Sequence, residues 1–232
     1  MGESRPAASH DYQRACERNI VALLSCWGEV TTENEEEVVA SNRKIHPQIR
    51  ELLSVLSDIL DAAKIEYWID QGTPLGAYRW GKFIARDSDA VIAIRSQEQF
   101  ESLLQLLTSE LPNTYGCERK GSHCKGYRIW LKTGGTFKGS YEGREIEWPT
   151  VACDAMFYQF NAHDKTYVQQ YEGFGVDTCL FPEALISPLD QIEFEGRMYP
   201  CPARVKEYLE IQYGYIGEGA IWDPEVARWV KG

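Results

Sequence analysis

Two aspartates set in an apolar, β-prone run constrain this chain more than any other feature. The run Phe83 to Ile94 carries Asp87 and Asp89 together with Ser88, Ala90, Val91 and Ile92, and alternate residues of an extended strand project from one face. Read as a strand, the segment aims both carboxylates the same way, about 6 to 7 Å apart. That spacing suits shared ligation of Mg2+. Two oxygen-ligated cations roughly 4 Å apart can orient the attacking and leaving oxygens of a phosphoryl group, with a third carboxylate from a neighbouring strand completing the cage. Asp154, in the β-prone run Val151 to Phe160, is the natural candidate. An Asp-Ser-Asp triplet also occurs in ordinary turns and solvated edges. The segments around it lower the weight of that reading.

Upstream, Tyr67 to Asp70 reads as a short strand running into Gln71-Gly72-Thr73-Pro74-Leu75-Gly76, where two glycines permit a tight turn and close backbone approach. A short helix follows. Gly72 and Thr73 bring backbone N–H groups and a hydroxyl towards nucleotide phosphates at that helix's N-terminus. Before this unit, Ile49, Leu52, Leu53, Leu56, Ile59, Leu60 and Ala63 keep helical spacing and predict a helix over 47–63 that covers one face of a sheet. After it, Phe100, Leu103, Leu104 and Leu107 predict a helix over 97–107. Strands are expected at 126–131, 151–160, 168–176 and 191–199, with a Gly-rich hairpin or loop at 133–140 and a loop at 181–188. A helix over 203–213 should end at Gly214, before a polar, aromatic tail. The fold class that follows is α+β, a mixed β-sheet flanked by helices. Residues 1–44, with the acidic run Glu33 to Glu37, read as a partly helical appendage, and 45–232 as the main domain.

A net charge of −11 offers no general attraction to nucleic acid or an anionic bilayer. Such a protein still binds a nucleotide where divalent cations and local Lys or Arg neutralise the phosphates. The seven cysteines have no dense pattern and read as reduced thiols. Cys117, His123 and Cys124 can supply three zinc ligands, although they lack the paired CxxC spacing of a strong zinc signature. The N-terminus has no apolar leader, and no apolar run approaches the roughly 18 to 20 residues of a membrane span, so the chain reads as soluble and cytoplasmic.

Three blocks resemble the LicD family, which includes bacterial phosphocholine transferases and eukaryotic fukutin-related proteins. They are Trp68-Ile69-Asp70-Gln71-Gly72-Thr73-Pro74-Leu75-Gly76-Ala77-Tyr78-Arg79, then Gly81-Lys82-Phe83-Ile84-Ala85-Arg86-Asp87-Ser88-Asp89, and then the ordered series Ser187-Pro188-Leu189, Phe194-Glu195-Gly196, Pro202, Tyr208-Leu209 and Tyr213-Gly214. Together they span about 65–215. The resemblance implies a nucleotidyltransferase-like fold and a metal-dependent transferase using Mg2+ or Mn2+. The implied reaction moves a phosphorylated alcohol, choline- or ribitol-linked, from a CDP-linked donor to a glycan or lipid-linked hydroxyl, with release of CMP. It is also compatible with a Golgi or membrane-associated location. Asp87, Asp89 and Asp154 are the expected catalytic and metal-binding residues, with Asp89 or Asp154 accepting the proton of the attacking hydroxyl. The chain departs from the family pattern at Val91, where an acid is common, and at Arg86, where Trp is common. Two other readings follow: transfer of NMP itself by the same geometry, or an inactive relative that binds a partner or glycan.

Gly72, Thr73, Arg79 and Lys82 are the candidate substrate-binding residues, Arg79 and Lys82 by contact with a diphosphate. Tyr78 and Trp80 can stack on cytosine but read more readily as core. Glu195 reads as a turn or supporting residue, and His123 and His163 as surface residues.

Overall fold

The molecule, a computed structural model, is described for residues 35–232 except 86, 121–124, 142–143, 170–178 and 224–227. Seven of the described strands form one mixed sheet. Its main path runs β1 (Tyr67–Asp70), β2 (Asp89–Ile94), β7 (Ala152–Asn161), β4 (Gly126–Leu131), β3 (Tyr115–Arg119). The outer half of β7 adds β8 (Thr166–Gln169), and β8 adds β9 (Leu180–Pro182). Strands β2 and β7 run parallel at the centre, and the other pairs are antiparallel.

Register divides this sheet into two unlike faces. Ile69, Ile92, Ala155 and Tyr127 make one rung, and that face packs under α1 (Glu35–Ala62) and α3 (Gln97–Glu110). Ile49, Leu52, Leu53, Leu56 and Leu60 of α1 are fully buried there, joined by Phe100, Leu103 and Leu107 of α3. Each such side chain contributes about 1.5 to 3 kcal/mol by leaving water. Ser96 caps α3 by accepting from the Gln99 N–H.

The opposite face reads Asp70, Val91, Asp154, Arg128 and Glu118 across five strands. Beyond that polar rung, Trp68, Ala93, Met156 and Tyr158 pack with Leu75 of α2 (Gly72–Trp80), Ile186 of α4 (Glu183–Ile186) and Tyr208 and Leu209 of α5 (Val205–Tyr213). Among the described residues, three further antiparallel strand pairs lie outside this sheet: β5 (Thr136–Tyr141) with β6 (Arg144–Pro149), β10 (Asp190–Phe194) with β11 (Arg197–Cys201), and β12 (Ala220–Asp223) with β13 (Arg228–Lys231).

Four segments differ from the sequence reading. The first described helix spans Glu35–Ala62 and so passes through residue 44, with Pro47 inside it. Proline removes one helical N–H, but the buried stripe beyond Pro47 anchors the helix. The strand expected from Phe83 begins at Asp89. Residues 83–85, 87 and 88 lie outside it because the Phe83 N–H is bound by Glu195 Oε1 (3.0 Å) and the Asp87 N–H turns back to the Ile84 carbonyl (2.9 Å). The single strand expected at 191–199 is a hairpin, since Glu195 (φ 53°) and Gly196 (φ 82°) both take the left-handed backbone of a tight two-residue turn. The loop expected at 181–188 holds the end of β9 and the short α4. The strand expected at 168–176 is seen as β8, and residues 170–176 lie outside the described set. No described helix is long and apolar enough to cross a membrane.

Candidate active site

Asp87 sits against the first turn of α2, and the glycine there is a steric requirement. A Cβ on Gly72 would lie 2.5 Å from Asp87 Oδ2 and 3.1 Å from its Cγ. Gln71, just before it, adopts φ 56°, ψ −126°, a conformation that only a tightly determined turn sustains. From the other side, His46 on α1 stacks on Phe83 (centroids 4.7 Å apart) and donates its Nε2–H to the Asp87 carbonyl at 2.8 Å. Glu195 accepts from the Phe83 N–H, and its own N–H donates to the Gly81 carbonyl at 2.8 Å. The loop into the acid pair is thus held by α1 and by the β10–β11 turn.

Asp89 opens β2, and its register places it on the same face as Asp154, one pleat away. Crossing one strand and two residues gives a Cα separation of about 8 Å. The acids influence one another. Burial first, then the charge of Asp89, pushes the Asp87 carboxyl well above the usual range, with no described cation among the causes. Burial first, then Asp154, raises Asp89 to about 6, partly offset by Arg128 and Lys120. Asp154 goes the other way: burial opposes ionisation, but Lys120 and Arg128 hold it at about 2. Arg128 donates Nε to Oδ1 and Nη2 to Oδ2, each at 2.9 Å, while Lys120 Nζ donates to Oδ2. The three predicted acids therefore share one electrostatic neighbourhood, and Asp154 carries two basic side chains into it.

The other predicted residues divide. Thr73 is buried, and its Oγ1 accepts from the Val91 N–H at 3.0 Å, tying α2 to β2. The Arg79 guanidinium donates to the carbonyls of Ile216 (3.1 Å) and Gly217 (3.4 Å) and lies 5.2 Å from the Trp80 ring and 5.8 Å from that of Trp229. It fastens α2 to the C-terminal segment. Lys82 is exposed on the loop. Tyr78 and Trp80, read as core, are 41% and 53% exposed, because the buried side of α2 is formed by Thr73, Pro74, Leu75, Gly76 and Ala77. Cys117 is a free, half-buried thiol on β3. His123 and Cys124, its proposed zinc partners, lie outside the described residues, as does Arg86. His163 is exposed.

Sequence reasoning missed four residues around the acids. Lys120 and Arg128 are two. Asp70 is the third: fully buried, it accepts from Tyr158 OH (2.6 Å) and Tyr208 OH (2.5 Å) and from the Gln71 N–H, so it fixes the strand-to-helix turn. Tyr213 is the fourth. Burial, then the charges of Asp87 and Asp70, pushes its hydroxyl well up and keeps it protonated. The rung position of Arg128 opposite Asp154 was the available signal, but it needs the β4–β7 pairing to be seen.

Among the described residues, no three Asp, Glu, His or Cys side chains converge as a closed cage for one cation. The acid pair still fits a hard divalent ion. Asp87 and Asp89 are desolvated, like-charged and raised in pKa, and Mg2+ is commonly held by one or two carboxylates, with water and substrate phosphate completing its shell.

A mixed sheet flanked by helices, with paired acids at the head of a central strand beside a glycine turn, defines a domain of the nucleotidyltransferase class. The family model described as LicD/FKTN/FKRP, nucleotidyltransferase domain, matches residues 64–204, and the chain belongs to that family. Ribitol 5-phosphate transferase FKRP of Mus musculus is 27% identical over 183 residues, covering 76% of this chain and 33% of that protein. The Homo sapiens protein of the same name is 26% identical over 183 residues, covering 76% and 32%. The chain thus corresponds to about a third of the length of these relatives. Among solved structures, ANT(2")-Ia in complex with adenylyl-2"-tobramycin is similar at a TM-score of 0.40 and 13% identity, over 70% of this chain and 74% of that one.

Proposed function

We propose that the domain is a divalent-cation-dependent transferase that moves a phosphorylated alcohol, of the phosphocholine or ribitol-phosphate type, from a CDP-linked donor to a hydroxyl of a glycan or related acceptor. The observation that carries this reading is the acid pair of buried Asp87 and half-buried Asp89, the first with no described cation beside it and the second only partly offset, standing beside the basic pair Lys120 and Arg128. One half of such a site attracts a cation and the other a phosphate oxygen. Family membership and the activity in the names of the two relatives favour this chemistry over other phosphoryl transfers.

In this reading Asp87 and Asp89 hold Mg2+ or Mn2+, which would neutralise the donor diphosphate. Gly72 lets the Asp87 carboxylate lie against the backbone of α2, and His46 and Glu195 keep the loop from swinging. Both oxygens of Asp154 are taken up by Lys120 and Arg128, which makes it a poor acceptor for the proton of the attacking hydroxyl and leaves that role to Asp89. Lys120 and Arg128 face the phosphate, and Arg79 and Lys82 flank the entrance from α2 and its following loop.

Incubation with CDP-ribitol, CDP-choline and free NTPs, each with Mg2+ or Mn2+ and a hydroxyl acceptor, tests the reading. CMP release that stops on adding EDTA is expected. Release of pyrophosphate from an NTP would instead make the domain an NMP transferase, and no turnover of any donor would remove the transferase reading.

A further inference from the structure

We propose that the Lys120 ammonium, carried by Asp154, stands in the place of a second divalent cation, so that the site takes one ion on Asp87 and Asp89 and meets the donor phosphate with Lys120. The inference rests on the function proposed above and deepens it.

Three observations converge. The first is occupancy of the third acid. Both oxygens of Asp154 already accept charged donors, Oδ1 from Arg128 Nε and Oδ2 from Arg128 Nη2 and Lys120 Nζ. An ion that recruited Asp154 would have to displace Lys120 from a carboxylate whose side chain is only 4% exposed. Charge-assisted bonds in such surroundings are short and strong.

The second is charge balance. With all three acids ionised, as a bound cation requires, Asp87, Asp89 and Asp154 against Lys120 and Arg128 leave the cluster one negative charge in excess. One divalent ion turns this into one positive charge, which suits a phosphate anion. Two would leave three positive charges packed together in a largely desolvated site, where repulsion is weakly screened.

The third is donor geometry. An ammonium has three N–H donors, and Asp154 takes one of those of Lys120. The Lys120 side chain is 20% exposed and is tied at Nζ to Asp154, which leaves two of its donors for another acceptor. That is the arrangement of a phosphate-binding point charge. The bidentate fork of Arg128 holds the carboxylate from the side, so Asp154 acts as a positioning residue for Lys120.

Calorimetric titration of the full chain with Mn2+, and then of the Mn2+-loaded chain with CDP, separates the alternatives. One ion per chain is expected for the wild type and none for Asp87→Asn. Lys120→Met should still bind one ion and lose about tenfold in CDP affinity, as expected for one charge-assisted contact, and Lys120→Arg should recover most of that loss. Two ions per wild-type chain, with the second absent in Asp154→Asn, would overturn the proposal while leaving the transferase reading intact. Wild-type CDP affinity in Lys120→Met would overturn it as well. Absence of any Mn2+ binding to the wild type would remove the cation-dependent reading itself. Should Asp154→Asn fail to fold, the wild-type stoichiometry and the Lys120 variants still decide the matter.

Discussion

The two faces of the central sheet are built from the same strands and obey opposite rules. Under α1 and α3, rungs such as Ile69, Ile92 and Ala155 are uniformly apolar, and their side chains contribute stability by leaving water. On the other face the same three strands present Asp70, Val91 and Asp154, and burial there works against every charge. Where partners are supplied, as by Arg128 and Lys120 at Asp154, the acid ionises readily. Where none are described, as at Asp87, it is held in the protonated direction. Buried charge on this domain is concentrated where packing alone would not choose the residues.

That contrast can be broken most sharply at Asp87. Asp87→Asn is expected to lower CMP release by about 1,000-fold, as befits loss of a ligand to a catalytic cation. It should also raise cation-free stability by about 0.5 to 2 kcal/mol, since it removes a buried like-charge conflict. Denaturant melts alongside the turnover assay check both signs, and a variant that loses stability and activity together would mean that Asp87 is structural. The apolar face should answer in the opposite way. Leu56→Ala, at a fully buried position on α1, should cost about 2 to 5 kcal/mol of stability while the folded fraction keeps wild-type kcat. A drop in kcat per folded molecule would show that the faces are coupled.

The smallest effect sharpens the comparison through pH. A carboxyl raised in the folded state binds more protons there than in the unfolded chain, so its contribution to stability falls as pH rises. For Asp89 that fall runs from its ordinary 3.8 to about 6, and Asp87 adds to it in the same direction. Asp154 has the opposite sign: its contribution is present above 3.8 and is lost as pH drops towards about 2. Thermal melts in EDTA between pH 4 and 7 should therefore show a decline that Mn2+ abolishes and that shrinks in Asp89→Asn. An identical decline in wild type and variant would assign it to other groups.

Local periodicity made much of this legible. Apolar spacing located the buried stripe of α1 and the helix α3, and β-prone composition located β1, β4 and β7 with Asp154 on it. Chemistry that depends on distant partners was not legible. Asp70 lies in a quoted motif, yet its meaning comes from hydroxyls 88 and 138 residues away. The start of β2 was misplaced because a side chain 112 residues downstream binds the Phe83 N–H. Lys120 and Arg128 sit in an unremarkable stretch until β4 is laid against β7. Sequence likewise cannot show that the Arg79 guanidinium donates to the carbonyls of Ile216 and Gly217, 137 and 138 residues away.

The unlike faces also bear on how the chain finds its alignment. Sliding β7 by a single residue along β2 would turn Asp154 into the hydrocarbon beneath α1 and expose Cys153 in its stead. Stranding an ionised group in that layer is far costlier than any mismatch among interchangeable aliphatic side chains. The acid that Arg128 and Lys120 hold in the finished sheet is thereby one of the residues that prevents the sheet from being assembled out of step.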